Sequence, residues 1–291
     1  MKPGAFEYFA PSTVAEAINL LDRYGDEAKI IAGGQSLVPM MNFRLARPEV
    51  LIDINRIKEL DYIREKGDEL LIGALTRERD LESSPLVQER CPILAKAVSF
   101  IGHFPIRTRG TIGGSLVHAD PSAEIPTAIC GLDARMKVVG PSGERTLEPE
   151  EFFLSYLTTS LEPSEILVEV KIPALPKKAG WSFVELSRRQ GDFAIVGVAS
   201  VLFMGQGGVC KEARISLGGI ASTPIRAGEA EELLAGQILN EALIEKAGQK
   251  AAEATDPDSD YHASAEYRRD MARVFVQRGL KEAWNRVKGG Q

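Results

Sequence analysis

Ile31-Ala32-Gly33-Gly34-Gln35-Ser36-Leu37 is the stretch that decides the fold. A short apolar run from Lys29 to Ala32 leads into it and predicts a buried strand. Apolar residues at helical spacing follow from Leu37 to Phe43, and the next apolar run, Val50 to Ile54, predicts a second buried strand. The sequence therefore predicts a compact strand–loop–helix–strand unit over about residues 29–54.

The paired glycines make this loop a candidate anion site. Because Gly33 and Gly34 have no Cβ, their backbone amides can approach a ligand closely. Ser36 stands where the helix begins, and the free N–H groups there would suit a pyrophosphate. A tight strand-to-helix turn without a ligand is the alternative. The loop is neither G-x-G-x-x-G nor a P-loop, so it indicates neither a Rossmann fingerprint nor nucleotide hydrolysis.

A second loop, Thr111-Ile112-Gly113-Gly114-Ser115, repeats this chemistry. It has two glycines and two hydroxyl groups, and we expect its amides to be exposed. Two such loops suggest one ligand with two phosphates held from both sides. Two unrelated turns are the alternative.

Two further motifs give the sequence a family resemblance. They are His118-Ala119-Asp120-Pro121 and Ser187-Arg188-Arg189-x-Gly191-Asp192-Phe193-Ala194. Together with the two glycine loops, these motifs closely resemble the FAD-binding medium subunit of molybdenum hydroxylases. They occur here in the order and at the spacing found in that family. That family includes aerobic carbon monoxide dehydrogenase and the flavin segment of xanthine dehydrogenase. The resemblance spans the whole chain.

The resemblance implies a set of residues that contact the FAD pyrophosphate and ribityl chain. Backbone amides of the first loop would wrap the pyrophosphate, and residues of the second would hold the pyrophosphate and ribityl side. These residues are Ala32, Gly33, Gly34, Gln35, Ser36 and Leu37 in the first loop, and Thr111, Gly114 and Ser115 in the second.

The resemblance also implies contacts at both ends of the cofactor. Ile101 and Gly102 would line the flavin pocket, and Phe193 would lie beside the isoalloxazine, where ring stacking is favourable. Lys29 would contact the cofactor through its backbone. His118 and Glu124 would lie near the adenosine half. The adenine pocket would be lined by Ile166 and Leu167.

Several of these residues have a structural alternative. Phe193 begins a strand-like run and could be a core residue, and His118 could be a hydrogen-bonded turn residue. Glu124 could be a first-turn helix charge that balances the helix dipole. The resemblance implies that Arg188 and Arg189 lie near the flavin and the partner surface; as an alternative, they could form a solvated strand face.

We expect an α+β fold with two domains. The FAD-binding domain, about 1–176, would consist of a small α/β lobe at about 1–56 and a larger, mostly antiparallel lobe at about 57–176, with FAD between them. The Pro- and Gly-rich segment 173–180 marks the boundary. The C-terminal domain, 177–291, would hold a three-stranded antiparallel sheet and a helical bundle, with helical patterns at roughly 226–235, 240–254 and 265–287.

Composition excludes several classes of protein. The 291 residues carry a net charge of −6, so a general attraction to nucleic acid is not expected. The three cysteines, Cys91, Cys130 and Cys210, form no C-x-x-C pair, so we expect no iron–sulfur or zinc site in this chain. Scattered cysteines suit a reducing cytoplasm, and no apolar run predicts a signal peptide or a transmembrane segment.

The function that the resemblance implies is electron transfer through FAD. A [2Fe–2S] small subunit and a molybdopterin large subunit would be the partners, in a dimer of heterotrimers, and the substrate would be oxidised on another chain. No catalytic nucleophile and no metal site are expected in this chain. One alternative is a stand-alone flavin oxidoreductase, which needs an acid or base over the flavin. Another is a non-enzymatic nucleotide-binding or assembly module.

Overall fold

The structure, a computed structural model, describes residues 2–289. The first lobe is a three-stranded parallel sheet in the order β1-β3-β2, flanked by two helices. Its elements are β1 (Glu7–Phe9), α1 (Val14–Tyr24), β2 (Ala28–Ile31), α2 (Leu37–Asn42) and β3 (Val50–Asp53). The predicted strand–loop–helix–strand unit is confirmed, with each boundary within one residue of its expected position.

Helix α1 shows why this lobe folds as the sequence predicts. The Thr13 hydroxyl accepts from the N–H of Glu16 at 3.2 Å, and α1 ends at Gly25, which has a φ of +49°. Ala17, Ile18 and Leu21 bury one face of the helix in the small core of this lobe. The two strands β2 and β3 pair in register from Ala28↔Val50 to Ile31↔Asp53, so the glycine loop leaves the sheet at a fixed edge.

The second lobe is built on a five-stranded antiparallel sheet in the order β4-β5-β10-β6-β7. Its strands are β4 (Ile63–Lys66), β5 (Glu69–Gly73), β6 (Arg135–Gly140), β7 (Gly143–Leu147), the short pair β8 (Phe153–Ser155) and β9 (Thr158–Thr159), and β10 (Ile166–Pro173). Its helices are α3 (Glu78–Ser83), α4 (Pro85–Arg90), α5 (Pro92–Val98), α6 (Phe104–Arg107), α7 (Ile112–His118), α8 (Glu124–Gly131) and α9 (Pro149–Phe152). All neighbouring strands of the five-stranded sheet are antiparallel.

The C-terminal sheet has four strands, so the expectation of three was wrong. The order is β11-β12-β13-β14, with β11 (Gly180–Leu186), β12 (Val196–Met204), β13 (Cys210–Gly218) and β14 (Ile225–Arg226). The added strand has only two residues, which pair with Ser216 and Leu217. A segment this short carries no periodic signal, and only tertiary pairing reveals it.

Three helices follow within the described residues: α10 (Gly228–Leu234), α11 (Glu241–Glu253) and α12 (Ala265–Gly289). Helix α12 packs on β11 and β12, and α11 packs on α12. No helix within residues 2–289 is both long and apolar enough to cross a membrane.

Strand β12 lies between two hydrophobic cores. Val196, Val198 and Leu202 face the core shared with the C-terminal helices, whereas Ala199 and Val201 face the core of the second lobe. Because successive side chains of a strand point to opposite faces, both faces of this strand are largely apolar, with Ser200 as a buried polar exception. The C-terminal sheet is therefore packed firmly against the second lobe, which fixes the position of the loop between β11 and β12.

Candidate cofactor site

The first glycine segment presents a row of unused backbone donors. The N–H groups of Gly33 to Leu37 have no hydrogen-bond acceptor anywhere in residues 2–289. Gly34 has a φ of +73°, and the Gln35 side-chain amide donates to the carbonyl of Gly33 at 2.9 Å, which fixes the loop. The Ser36 hydroxyl makes no capping bond to α2. Consecutive free amides on one loop form a concave donor surface suited to an anion.

The second glycine segment is the start of a helix rather than an open loop. Four of its five N–H groups already have acceptors. Ile112 and Gly113 donate to the carbonyls of Thr76 (3.1 Å) and Ala74 (2.9 Å), and Gly114 and Ser115 donate to the hydroxyl and carbonyl of Thr111 (3.0 Å each). The expectation of exposed amides here was therefore wrong. Gly114 remains exposed and Ser115 half-buried, whereas Thr111 is buried and caps α7.

The two glycine segments nevertheless lie side by side. A Cβ on Gly33 would overlap the carbonyl oxygen of Arg109 and lie 2.9 Å from the Cα of Gly110. Only glycine fits at this position, because the two backbones are in contact. The free amides of the first segment therefore lie beside the backbone of Arg109 and Gly110, immediately before the second segment.

A side-chain bridge between Asn55 and Arg77 holds these segments together. The Asn55 amide donates to the carbonyl of Ala32 at 2.8 Å and accepts from the Arg77 guanidinium at 2.7 Å. Another nitrogen of Arg77 donates to the carbonyl of Arg109 at 2.5 Å. This Asn55–Arg77 bridge was missed in the sequence, where neither residue belongs to a motif.

The turn predicted at the flavin end contacts the loop that carries Phe193. Arg107 donates to the carbonyls of Ile101 (2.8 Å) and Gly102 (3.3 Å), and so fixes that turn. A Cβ on Gly191 would lie 2.8 Å from the carbonyl oxygen of Gly102, so the loop between β11 and β12 rests on the same turn. Phe193, in that loop, is 63% exposed and is therefore not a core residue.

The residues predicted at the adenosine end are more scattered. Ile166 and Leu167 are buried in two different hydrophobic cores, so only their backbone could meet a ligand. Lys29 is exposed on β2, and His118 is half-buried in the last turn of α7. Their assigned contacts remain predictions.

Glu124 is not a solvated first-turn charge. It begins α8 but is only 8% exposed. Burial raises the pKa of its carboxyl group to about 7, with the charge of Asp120 adding to this effect and its own backbone N–H opposing it. A carboxyl group withdrawn from water in this way is suited to hydrogen bonding with ligand hydroxyl groups.

Comparison with known families identifies FAD as the cofactor of this family. The family described as the FAD binding domain in molybdopterin dehydrogenase matches residues 4–175, and the CO dehydrogenase flavoprotein C-terminal domain matches residues 181–283. The fold and the site thus define an FAD-binding protein. The chain belongs to the family of FAD-binding subunits of molybdopterin-dependent dehydrogenases.

Similar proteins cover the whole length of the chain. The 6-hydroxypseudooxynicotine dehydrogenase complex subunit alpha of Paenarthrobacter nicotinovorans is 44% identical, over 99% of this chain and 97% of that protein. The carbon monoxide dehydrogenase medium chain of Hydrogenophaga pseudoflava is 41% identical, over 98% and 99%. A solved carbon monoxide dehydrogenase from Hydrogenophaga pseudoflava matches with a TM-score of 0.96 and 43% identity, over 98% of this chain and 99% of that chain. The resemblance inferred from the motifs and the α+β fold are confirmed.

Proposed function

We propose that this chain receives electrons from [2Fe–2S] clusters on a small partner subunit and passes them through FAD to an external acceptor. The observation that carries the proposal is the row of free amides from Gly33 to Leu37, held against the start of α7. Five donors without acceptors match the charge and the many oxygen atoms of a pyrophosphate. When bound, FAD supplies the redox chemistry, and the protein supplies binding, orientation and electrostatics.

Residues from several segments of the chain would hold FAD. The amides of the first segment, from Ala32 to Leu37, would hold the pyrophosphate. The exposed parts of Gly114 and Ser115 would hold the ribityl side, with the backbone around Thr111 supporting them. Ile101, Gly102 and Phe193 would border the isoalloxazine, and Lys29, His118, Glu124, Ile166 and Leu167 would border the adenosine half.

The proposed complex places the other redox centres on other chains. A [2Fe–2S] centre takes four protein ligands, and this chain has three dispersed cysteines. Its partners would be the [2Fe–2S] small subunit and a molybdopterin large subunit, in a cytoplasmic dimer of heterotrimers. The names of the relatives refer to different substrates, so we propose no substrate for the holoenzyme.

We also propose that the chain divides into an FAD-binding domain at 1–176 and a C-terminal domain at 177–291. The end of β10 at Pro173 and the start of β11 at Gly180 support a boundary in this segment.

Flavin content tests the proposal. Purified chain, or apo chain mixed with FAD, is expected to hold one FAD per chain, with visible flavin absorbance that survives gel filtration. Failure to hold FAD under either condition would overturn the proposal. One FAD per chain is expected both for an electron-transfer subunit and for a stand-alone oxidoreductase. Mixing the isolated chain with substrates distinguishes these two functions.

Removing the Asn55–Arg77 bridge is expected to weaken FAD binding. Arg77→Met deletes the hydrogen bonds that join Asn55 to the carbonyl of Arg109, so the two glycine segments lose their fixed spacing. We expect about tenfold weaker FAD binding, which corresponds to roughly 1.4 kcal/mol. Fluorescence titration measures it, with Arg23→Met on the exposed face of α1 as the matched control. Equal affinities in the two variants would contradict a positioning role for Arg77.

A further inference from the structure

Two motifs of the sequence, at 118–121 and 187–194, meet at Gly219, the residue that follows β13. The Gly219 N–H donates to the carbonyl of Pro121, the last residue of the first motif, at 2.7 Å. A Cβ on Gly219 would lie 2.8 Å from the carbonyl oxygen of Ile195, which directly follows the second motif. Gly219 also has a φ of +78°, a conformation that glycine adopts without strain. Glycine therefore allows the three backbone segments to come together.

A buried guanidinium group holds this junction from the side of the C-terminal helices. Arg268, near the start of α12, is only 5% exposed. Its Nη1 donates to the carbonyls of Ile195 and Gly219 at 2.8 Å each, and its Nη2 donates to a carboxylate oxygen of Asp260 at 2.8 Å. Arg268 therefore joins the end of the β11–β12 loop, the end of β13 and the segment before α12.

Helix stability does not explain a positive charge at this position. The N-terminal end of a helix is the positive end of its dipole, which disfavours a cation. Ser264 already caps α12, because its hydroxyl accepts from the N–H of Tyr267 at 3.1 Å. Withdrawing a guanidinium group from water adds a further cost. The ion pair with Asp260 and the two backbone acceptors offset these costs, so the contacts of Arg268 indicate that it serves to hold those carbonyls.

The β11–β12 loop, residues 187–195, is fixed on either side of Phe193. On one side Gly191 rests on the turn before α6, and on the other the carbonyl of Ile195 accepts from Arg268. Phe193 itself is largely exposed, so packing in a core does not set its direction. The direction of its ring therefore depends on these two anchors, and Arg268 provides the second.

We propose that Arg268 is a positioning residue for the flavin end of the FAD site, because it holds the base of the loop that presents Phe193. This role rests on the proposed function, in which Phe193 borders the isoalloxazine. Without the guanidinium group, the carbonyls of Ile195 and Gly219 lose this donor and the loop gains freedom. Phe193 then spends less time stacked beside the flavin. Asp260 acts in turn on Arg268, by holding its second nitrogen.

A double-mutant cycle between Arg268 and Phe193 tests this proposal. FAD affinity is measured for the full-length chain as wild type, Arg268→Met, Phe193→Ala and the double variant. We expect each single change to weaken FAD binding about fivefold, and the double variant to bind no more weakly than Phe193→Ala. The midpoint potential of the bound flavin is expected to shift in the same direction in Arg268→Met and in Phe193→Ala, which a merely structural role would not produce.

Two further variants separate positioning from folding. Arg269→Met, an exposed change at the next position of α12, is the matched control and is expected to retain the wild-type affinity and potential. Asp260→Asn removes the charge that holds Arg268 but keeps the arginine, so it is expected to weaken FAD binding by a smaller factor. The Tm of each apo variant checks folding, and Asp260→Asn takes the place of Arg268→Met in the cycle if the latter does not fold.

The outcomes separate the positioning role from the proposed function. If the loss of affinity in Arg268→Met persists in full without Phe193, or if affinity and potential equal those of wild type, the positioning role is overturned while FAD binding stands. The same holds for Asp260→Asn where it replaces Arg268→Met. Failure of the wild type to hold FAD would overturn the proposed function itself.

Discussion

Gly34→Asp is expected to abolish FAD binding while the protein still folds. The new carboxylate would lie among the free amides of Gly33 to Leu37, where it repels the pyrophosphate and competes for the same donors. Gly34 also has a φ of +73°, and a Cβ there would lie 3.1 Å from the Val38 side chain, so the loop itself would be strained. We expect the affinity to fall by about two orders of magnitude or more.

Gly67→Asp is the matched control for this substitution. Gly67 has a φ of +63°, lies in the exposed turn between β4 and β5, and has no atom within 4 Å of an added Cβ. The two variants therefore share the backbone strain and the added charge, and only one of them alters the row of amides. Flavin content and circular dichroism of both are compared with wild type. A folded Gly34→Asp protein with one FAD per chain would refute the assignment of the loop.

The first lobe was predictable because its signals are local. The cap at Thr13, the stop at Gly25 and the apolar runs before and after the glycine loop each act over a few residues. The two-residue strand β14 was not predictable, because it exists only through its pairing with Ser216 and Leu217. The apolar strand β12 was predictable as a strand, but its position between two cores was not.

The two glycine segments show where a local pattern misleads. Both contain Gly-Gly and a hydroxyl residue, yet only the first has a row of consecutive N–H groups without acceptors. In the second, the carbonyls of Ala74 and Thr76 reach the N–H groups of Ile112 and Gly113 from a distant part of the chain. Tertiary contacts of this kind leave no local trace in the sequence.

Within the candidate site, the family resemblance indicated residues that composition and spacing alone did not indicate. It singled out Glu124 and Phe193, for which composition and spacing offered equally good structural explanations. It did not locate Asn55 and Arg77, whose roles depend on hydrogen bonds to backbone carbonyls.

The isolated chain is expected to carry one redox centre of an electron-transfer path and not to be a complete enzyme. FAD bound to it would be open to a chemical reductant such as dithionite. Substrate oxidation would require the molybdenum centre, and delivery of electrons would require a [2Fe–2S] centre that three dispersed cysteines cannot build.

The most direct test is anaerobic mixing of the FAD-loaded isolated chain with carbon monoxide, aldehydes and purines while flavin absorbance is followed. The flavin is expected to be reduced by dithionite and by none of these substrates until the iron–sulfur and molybdenum subunits are added. Reduction of the flavin in the isolated chain by any of the substrates at a catalytic rate would contradict the assignment as an electron-transfer subunit and would support a stand-alone flavin oxidoreductase.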